Sequence, residues 1–298
     1  MVKDMDKQPA KLHFSNAQRL GFVSFAAAIL LWFIDLQLSV VPLAIFLLLC
    51  VVAPFVPRFS FFLPIVSKGT SGKKAVAITF DDGPDPRSTP ALLRLLLTYQ
   101  VQGTFFVTGQ KVSHHPELIM EILSLGHSIG NHSYSHDNFI MLKGAKSLMK
   151  EIQSTQEILG KFGITPLAFR PPVGITNPRL WKVLRKSGMY NVNFSCRAID
   201  GGNRWIKNLS KRILKRLRPD DIIALHDTVP ADDALFPYWL NEIELILSGI
   251  REKGFTVYPL SQLIGRPVML TRNEDHVQFP KPKNHLIQFP FDRGPNLC

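Results

Sequence analysis

Cysteine is scarce in this 298-residue chain, and its three occurrences lie far apart. Cys50 lies within an apolar stretch, Cys196 lies in the middle of the chain and Cys298 is its last residue. A small fold held together by disulfides is therefore excluded, because such domains need several cysteines that pair at short spacings. Cysteine does not by itself indicate the redox compartment.

Acidic residues are also few, with 23 Asp and Glu against 35 Lys and Arg, which gives a net charge of +12. Charged residues make up only 19% of the chain and hydrophobic residues 46%, so disorder throughout the chain is excluded. A basic balance favours anionic partners without naming one. Nucleic acid is not predicted as a partner, because the basic residues lack interleaved aromatic residues and a recognised binding motif.

Charge is absent from two long apolar runs, residues 20–34 and 38–56, which Asp35 separates. The second run is nineteen residues long, and at about 1.5 Å per helical residue it nearly spans the roughly 30 Å of bilayer hydrocarbon. The pattern predicts a transmembrane helical hairpin over residues 20–57, after a basic segment at 1–19 and before a linker at 58–74. A buried soluble hairpin is the alternative.

The hairpin predicts an integral membrane protein. Two placements of the remaining chain, on either side of the membrane, are compatible with the sequence. Basic residues flank both ends of the hairpin and none lies in its turn, so the positive-inside rule places both ends in the cytoplasm. If only one segment spans, the C-terminal domain would lie outside.

From residue 75 to 265, short β-branched or aromatic runs alternate with amphipathic helical stretches, which predicts an α/β fold of parallel strands with crossover helices. Predicted strands cover 75–80, 103–107, 128–130, 167–170, 190–195, 221–226 and 255–258. Predicted helices cover 90–99, 116–125, 145–162, 178–187, 209–217 and 238–253. Residues 266–298 form a polar tail that contains proline.

Six basic residues between 207 and 218 alternate with apolar residues at helical spacing. Such a basic amphipathic helix would rest on anionic membrane lipids or meet a lipid-phosphate-linked sugar. The alternative is the solvated outer face of a barrel helix.

Candidate metal ligands follow two predicted strands. Asp81 and Asp82 come directly after the first strand, and paired carboxylates are favoured there when a cation shares them. His132 and His136 are four residues apart, which places both imidazoles on one face of a helical turn. One Asp and two His leave open positions on a divalent ion, as catalytic sites do. An acidic loop and two surface histidines are the alternatives.

Two further strand ends carry a cation and a candidate acid. Arg170-Pro171-Pro172-Val173-Gly174 ends one strand, where the prolines leave the N–H of Val173 available. Leu225-His226-Asp227 ends another, although a histidine there would equally suit a buried hydrogen-bonded position.

Taken in this order, the four stretches resemble the polysaccharide deacetylase family, the NodB-homology domain of carbohydrate esterase family 4. The resemblance runs from about residue 74 to 263 and includes Gly103-Thr104-Phe105-Phe106-Val107. It implies a distorted (β/α) barrel with a divalent metal, most commonly zinc, with cobalt, nickel or manganese as alternatives. Its implied metal ligands are Asp82, His132 and His136.

The resemblance also implies the remaining roles in the site. Asp81 would be the general base and His226 the general acid, and Arg170 would pair with the base. The N–H of Val173 would polarise the substrate carbonyl, and Leu225 would line the pocket for the acetyl methyl. Asp200 fills the position of a carboxylate that orients the acid.

The chain departs from the family pattern at two positions. Val173 stands where the family often has an aromatic residue, and Gly201 replaces a tryptophan that commonly follows the carboxylate. Trp205 is a nearby candidate to supply a ring. These departures concern substrate shape more than catalysis.

The expected function is metal-dependent hydrolysis of N-acetyl groups on amino sugars of a glycan or a glycolipid. Its partners would be an N-acetylated glycan or lipid-linked sugar and membrane lipids. An O-acetyl polysaccharide esterase and a catalytically idle, membrane-tethered glycan-binding module are the alternatives.

Overall fold

The computed structural model describes residues 14–271. Residues 1–13 and 272–298, which hold most of the predicted basic segment and of the predicted tail, lie outside the described residues. The helices are α1 Asn16–Trp32, α2 Leu36–Val52, α3 Ser88–Thr98, α4 Gly109–His114, α5 Pro116–Ser124, α6 Ala145–Gly160, α7 Pro178–Lys186, α8 Leu209–Arg216, α9 Phe236–Glu252 and α10 Leu260–Ile264. The strands are β1 Ile65–Val66, β2 Ala75–Gly83, β3 Thr104–Val107, β4 Ser128–Asn131, β5 Ile164–Pro166, β6 Ala168–Phe169, β7 Tyr190–Val192, β8 Cys196–Arg197, β9 Ile222–His226, β10 Thr256–Val257 and β11 Met269–Thr271.

The main sheet is parallel, in the order β1-β7-β6-β4-β3-β2-β9-β8, and β10 pairs with the beginning of β2. Strands β1 and β8 each have one neighbour on this path, so the sheet curls without closing. The expected (β/α) barrel is confirmed in the form of an open, curled parallel half-barrel. A separate antiparallel pair joins β11 to β5.

The two faces of the sheet have different partners because successive side chains along a strand alternate between them. Val76, Ile78 and Phe80 of β2 pack in one buried cluster with side chains of α3 and α9. Ala77 of β2 and Ala224 of β9 belong to another cluster, on the opposite face. On β2 and β9, this second face therefore carries small side chains below the polar groups at its carboxyl edge.

The two predicted apolar segments form the packed helices α1 and α2. Asp35, the charge between them, caps α2 by accepting hydrogen bonds from the N–H groups of Gln37 and Leu38. By length and composition, one helix within residues 14–271 is long and apolar enough to cross a membrane, Leu36–Phe55, with mean hydropathy 2.7. The helical pair is thus present, but these criteria support one span rather than two.

The segment predicted as a linker, residues 58–74, belongs to the folded unit. Its strand β1 pairs in parallel with β7. Phe61 and Leu63 are buried in one cluster with Leu180 and Leu184 of α7, and Ala53 at the end of the apolar pair joins them. The linker prediction missed this strand and the shared core.

The predicted basic helix is α8, and its apolar side is covered. Leu209 and Ile213 are buried. Leu214 packs so closely against Gly249 of α9 that a Cβ added to Gly249 would clash with the Leu214 side chain. The structure therefore favours the outer barrel helix over a helix that inserts its apolar face into lipid.

Candidate active site

Both predicted carboxylates lie at the carboxyl end of β2. Asp81 is buried and pairs in register with His226 of β9, so their side chains share one face of the sheet. The next residue on a regular strand would point to the opposite face. The pairing shifts between Asp81 and Gly83, and Asp82 adopts a left-handed backbone with φ of 71°. This bulge accounts for two adjacent carboxylates reaching the same site.

The predicted ligands Asp82, His132 and His136 converge. Asp82 Oδ1 lies 3.2 Å from His132 Nε2 and 3.0 Å from His136 Nε2, and the three ligand atoms lie within 4.8 Å of one another. Asp82 Oδ1 is buried, yet neither imidazole meets it with hydrogen-bond geometry. Three donor atoms that crowd together without bonding one another fit a shared cation.

Electrostatics in this cluster favour an ionised carboxylate. Burial by itself would raise the pKa of Asp82, but the two nearby imidazoles outweigh it and hold that pKa well below its usual range. Burial lowers the pKa of His136, and the carboxylates of Asp82 and Asp81 outweigh this effect, so its pKa is raised. The carboxylates of Asp82 and Asp81 therefore create a negative potential here, which favours a proton on His136 and would equally favour a metal cation.

The helical turn predicted for His132 to His136 is wrong. The segment is a loop with left-handed residues at Ser133, φ of 67°, and His136, φ of 53°. Its shape comes from outside contacts, since the Glu151 carboxylate on α6 accepts the N–H groups of Tyr134 at 3.0 Å and Ser135 at 2.8 Å. The four-residue spacing of the two histidines is compatible with both a helix and this loop. Glu151 belongs to no sequence motif, so the sequence analysis did not identify it.

The orientation of His132 is set through its second ring nitrogen. Its Nδ1 lies 2.7 Å from the backbone oxygen of Arg170. A proton on Nδ1 donated to that carbonyl leaves Nε2 as the lone-pair donor facing the cluster. Residues 170–174, here called the Arg-Pro loop, therefore support the candidate metal site as well as the carboxylate beside it.

The buried Arg170 side chain binds Asp81 and holds its carboxylate in place. The guanidinium is fully buried over the ring of Phe106, and its Nη1 donates to Asp81 Oδ1 at 2.6 Å and to Thr79 Oγ1 at 2.7 Å. Its other nitrogens donate to the backbone oxygens of Val192 and Asn193. Every contact except that to Asp81 is neutral, so the buried carboxylate provides the counter-charge.

His226 and Asp200 form a second pair on the far side of β2. The His226 Nδ1 lies 3.0 Å from Asp200 Oδ2, and the Asp200 side chain is almost fully buried. Burial lowers the pKa of the ring, but the hydrogen bond and charge of Asp200, with those of Asp82 and Asp81, raise it to about 9. The structure thus places Asp200 in contact with His226, the predicted acid. The replacement of the family tryptophan by Gly201 does not prevent this contact.

The loop after Asp200 carries an exposed ring. Gly201 and Gly202 both have positive φ, and the ring of Trp205 lies 3.2 Å from where a Cβ on Gly201 would stand. The Trp205 side chain is 63% exposed, and the backbone N–H of Trp205 donates to the Asp200 carbonyl at 2.8 Å. Gly201 thus makes room for a ring supplied four residues later.

Leu225 does not lie in the site. It pairs with Phe80 and packs, 1% exposed, in the cluster that faces the helices. It follows that Leu225 is on the opposite face of the sheet from His226, because neighbouring residues of a strand alternate. The same alternation, applied to the sequence, would have excluded it and indicated Ala224, which is buried on the other face.

Val173 lies on the turn Pro172–Gly174 with φ of 54° and is 45% exposed. The N–H of Gly174 donates to Pro171 O and that of Ile175 to Pro172 O, so the turn is closed around Val173.

Comparison with known proteins gives the same assignment. A family model for polysaccharide deacetylases matches residues 68–192. A peptidoglycan-N-acetylglucosamine deacetylase of Bacillus cereus is 35% identical over 196 residues, which cover 65% of this chain and 90% of that protein. The chain belongs to the polysaccharide deacetylase family.

Two further polysaccharide deacetylases support the comparison. A chitooligosaccharide deacetylase of a Bradyrhizobium strain is 28% identical, over 65% of this chain and 92% of that protein. The crystal structure of the Bc1960 peptidoglycan N-acetylglucosamine deacetylase superposes with a TM-score of 0.63 and 27% identity, over 68% of this chain and 94% of that one.

Proposed function

We propose that this polysaccharide deacetylase is a metal-dependent hydrolase that removes N-acetyl groups from amino sugars of a glycan. One observation carries the proposal. At the carboxyl end of β2, the cluster of Asp82, His132 and His136 lies beside a carboxylate bound by arginine and an imidazole bound by carboxylate. That combination supplies a cation, a base and an acid around one small volume.

The donor set suits a catalytic metal. Two imidazoles and one carboxylate are ligands for zinc, with cobalt, nickel or manganese as alternatives, and three protein ligands leave positions open for water and substrate. When bound, such an ion polarises a carbonyl oxygen and lowers the pKa of water.

The residues of this chain have separate tasks in amide hydrolysis. Asp81 accepts a proton from the attacking water, and Arg170 fixes one of its oxygens at 2.6 Å. The N–H of Val173 donates to the carbonyl oxygen as negative charge develops there. His226, kept protonated by Asp200, gives its proton to the departing nitrogen.

The acid distinguishes an amide from an ester substrate. An amine is a poor leaving group without a proton, whereas an alcohol leaves more readily, so an N-deacetylase needs a donor with a pKa above the working pH. The pKa of His226, about 9, meets that requirement. The pair therefore favours N-acetyl over O-acetyl groups.

The glycan proposed is one that contains N-acetylglucosamine, since relatives are named for peptidoglycan N-acetylglucosamine and for chitooligosaccharides. We also propose that α1 and α2 enter a membrane. Phe22, Leu30, Phe33 and Leu47 are each more than 60% exposed on these helices, and hydrocarbon would cover them. A membrane-proximal or lipid-linked glycan would then be within reach.

The proposal is tested by acetate release from the full chain in detergent. Substrates would be N-acetylglucosamine oligomers, peptidoglycan fragments and a lipid-linked N-acetyl sugar, each with and without added zinc or cobalt. Asp81→Asn should abolish metal-dependent release, whereas the matched Asp233→Asn, an exposed carboxylate paired with Arg87, should retain it.

Three outcomes discriminate the alternatives. Release of N-acetyl groups that needs both metal and Asp81 supports the proposal. Release from O-acetylated glycans alone, unaffected by His226→Asn, would indicate an esterase. Glycan binding that persists without metal or Asp81, with no acetate released, would indicate an idle binding module.

A further inference from the structure

Asn193 is a buried side chain at the junction of three parts of the molecule. It is 0% exposed, and its Nδ2 donates to the backbone oxygens of Pro57 at 2.9 Å and of Gly174 at 3.2 Å. Pro57 belongs to the segment directly after the apolar helices, and Gly174 belongs to the Arg-Pro loop. One amide group thus joins the end of the helical pair to a loop of the active site.

The backbone of Asn193 adds two more connections. Its N–H donates to Val66 O of β1 at 2.8 Å, and its carbonyl accepts from Arg170 Nη2 at 3.1 Å. The residue that holds the loop therefore also contacts the arginine that binds Asp81.

Further contacts join the same two segments. The N–H of Thr176 donates to Pro54 O at 3.4 Å. Gly174, with φ of 75°, fits so closely that an added Cβ would lie 3.2 Å from the ring of Phe194 and 3.7 Å from Pro57 Cγ. Residues 53–57 therefore pack against the Arg-Pro loop and do not act only as a flexible connection to the apolar helices.

We infer that Asn193 is a positioning residue through which the 53–57 segment holds the Val173 N–H in place. One peptide group separates the Gly174 carbonyl from the Val173 N–H, and the hydrogen bond from Gly174 N–H to Pro171 O closes the turn between them, so a displaced Gly174 shifts the Val173 N–H. The inference rests on the proposed function for its catalytic consequence. It further implies that the apolar helices belong to the catalytic unit, with the site beside the membrane.

Asn191 provides a matched control. It lies two residues earlier, in strand β7, and is 1% exposed, yet neither its Nδ2 nor its Oδ1 has a hydrogen-bond partner among the described residues. Asn191→Ala therefore removes the same buried amide without releasing the loop, and Asn193→Ala removes both of its bonds.

The first measurement is amide hydrogen exchange of the full chain in detergent, which does not depend on activity. Asn193→Ala should accelerate exchange at least tenfold at residues 174–176, whose N–H groups donate to backbone oxygens, and Asn191→Ala should leave those residues unchanged. Equal exchange in the two variants would overturn the inference.

The second measurement separates kcat, KM and metal affinity. Removal of one oxyanion donor costs about 100- to 1000-fold in kcat, so a displaced donor in Asn193→Ala should lower kcat by about 10- to 100-fold. KM and zinc affinity should stay within about twofold, and Asn191→Ala should match the wild type. Unchanged kcat, or a loss explained by zinc affinity, would overturn the inference.

Two further results distinguish a failure of the proposed function from a failure of the positioning role of Asn193. If the wild type releases no acetate but exchange rises only in Asn193→Ala, the proposed function fails and the positioning contact stands. If Asn193→Ala does not fold, Asn193→Ser retains one donor and should show intermediate exchange and kcat. A serine variant identical to the wild type in both would refute the inference.

Discussion

The Asp200–His226 pair yields a prediction that can be worked through in detail. Asp200→Asn keeps the shape of the side chain but removes the charge beside His226 Nδ1, at 3.0 Å. The pKa of His226, about 9 in the wild type, should fall to its ordinary value of about 6.5 or below, because burial then acts with less opposition. At about pH 7.5, the protonated fraction would fall from more than nine-tenths to roughly one-tenth.

The assay is the pH dependence of kcat/KM for acetate release. The proposed acid must be protonated, so activity should be lost as pH rises through the pKa of His226, and this alkaline limb should move down by about 2.5 pH units in Asp200→Asn. A cation bound to Asp82 would offset the effect of that carboxylate on the pKa of His226 and would move the alkaline limb of both proteins to lower pH. The difference between the two proteins comes from Asp200 and would persist. An alkaline limb at the same pH in both would refute the assignment.

The same pair also predicts how the unfolding free energy depends on pH. A histidine whose folded pKa is raised adds stability that is fully present below its unfolded pKa and is lost as pH rises through the folded pKa. A rise from about 6.5 to about 9 corresponds to an effect on the order of 3 kcal/mol. Asp200→Asn should therefore lower the unfolding free energy most near pH 6 and least near pH 9.5, as measured by denaturant titration.

Three other substitutions test the metal site, the buried arginine and the sheet. Asp82→Ala should weaken zinc binding by more than the about 10- to 100-fold typical of an outer-shell partner, as measured by calorimetry; unchanged affinity would place the ion elsewhere. Arg170→Met leaves a buried carboxylate unpaired and should cost about 3–5 kcal/mol of unfolding free energy together with activity, whereas a loss below 1 kcal/mol would contradict the pairing. Gly130→Ala would put a methyl 2.5 Å from the ring of Phe106 and should cost about 1–3 kcal/mol, whereas Gly160→Ala meets nothing within 4 Å and should stay within about 1 kcal/mol.

The regular elements were predictable because burial on one side imposes a period on the sequence. Helix α5 was expected at 116–125 and lies at Pro116–Ser124, and strand β9 was expected at 221–226 and lies at Ile222–His226. Strands β1, β5, β8 and β11 were missed as separate elements, because two or three residues are too few to display an alternation. Their pairing depends on the tertiary fold.

The site was predictable in its residue types but less so in its geometry. Asp82, His132 and His136 come together as expected, because each follows a parallel strand that ends at the same edge. The contacts that shape their loops come from residues without a motif, such as Glu151 on α6. Asn193 was missed for the same reason, since only the fold places it between Pro57 and Gly174.

Backbone strain in the site leads to a last prediction. Asp82, Ser133, His136 and Val173 are non-glycine residues with positive φ, and each such conformation costs of order 1–3 kcal/mol and persists only where its surroundings enforce it. At Asp82 and His136 the side chain is a proposed metal ligand, so the strained backbone is expected to be needed. Val173 differs, because its proposed task belongs to its backbone N–H and its side chain is 45% exposed. Val173→Gly should therefore keep kcat within about threefold and should not lower the unfolding free energy by more than about 1 kcal/mol, since relief of the left-handed strain offsets the entropy of glycine. Acetate-release kinetics and denaturant unfolding would measure both, and a large fall in kcat with folding intact would show that the side chain, rather than the N–H alone, contacts the substrate.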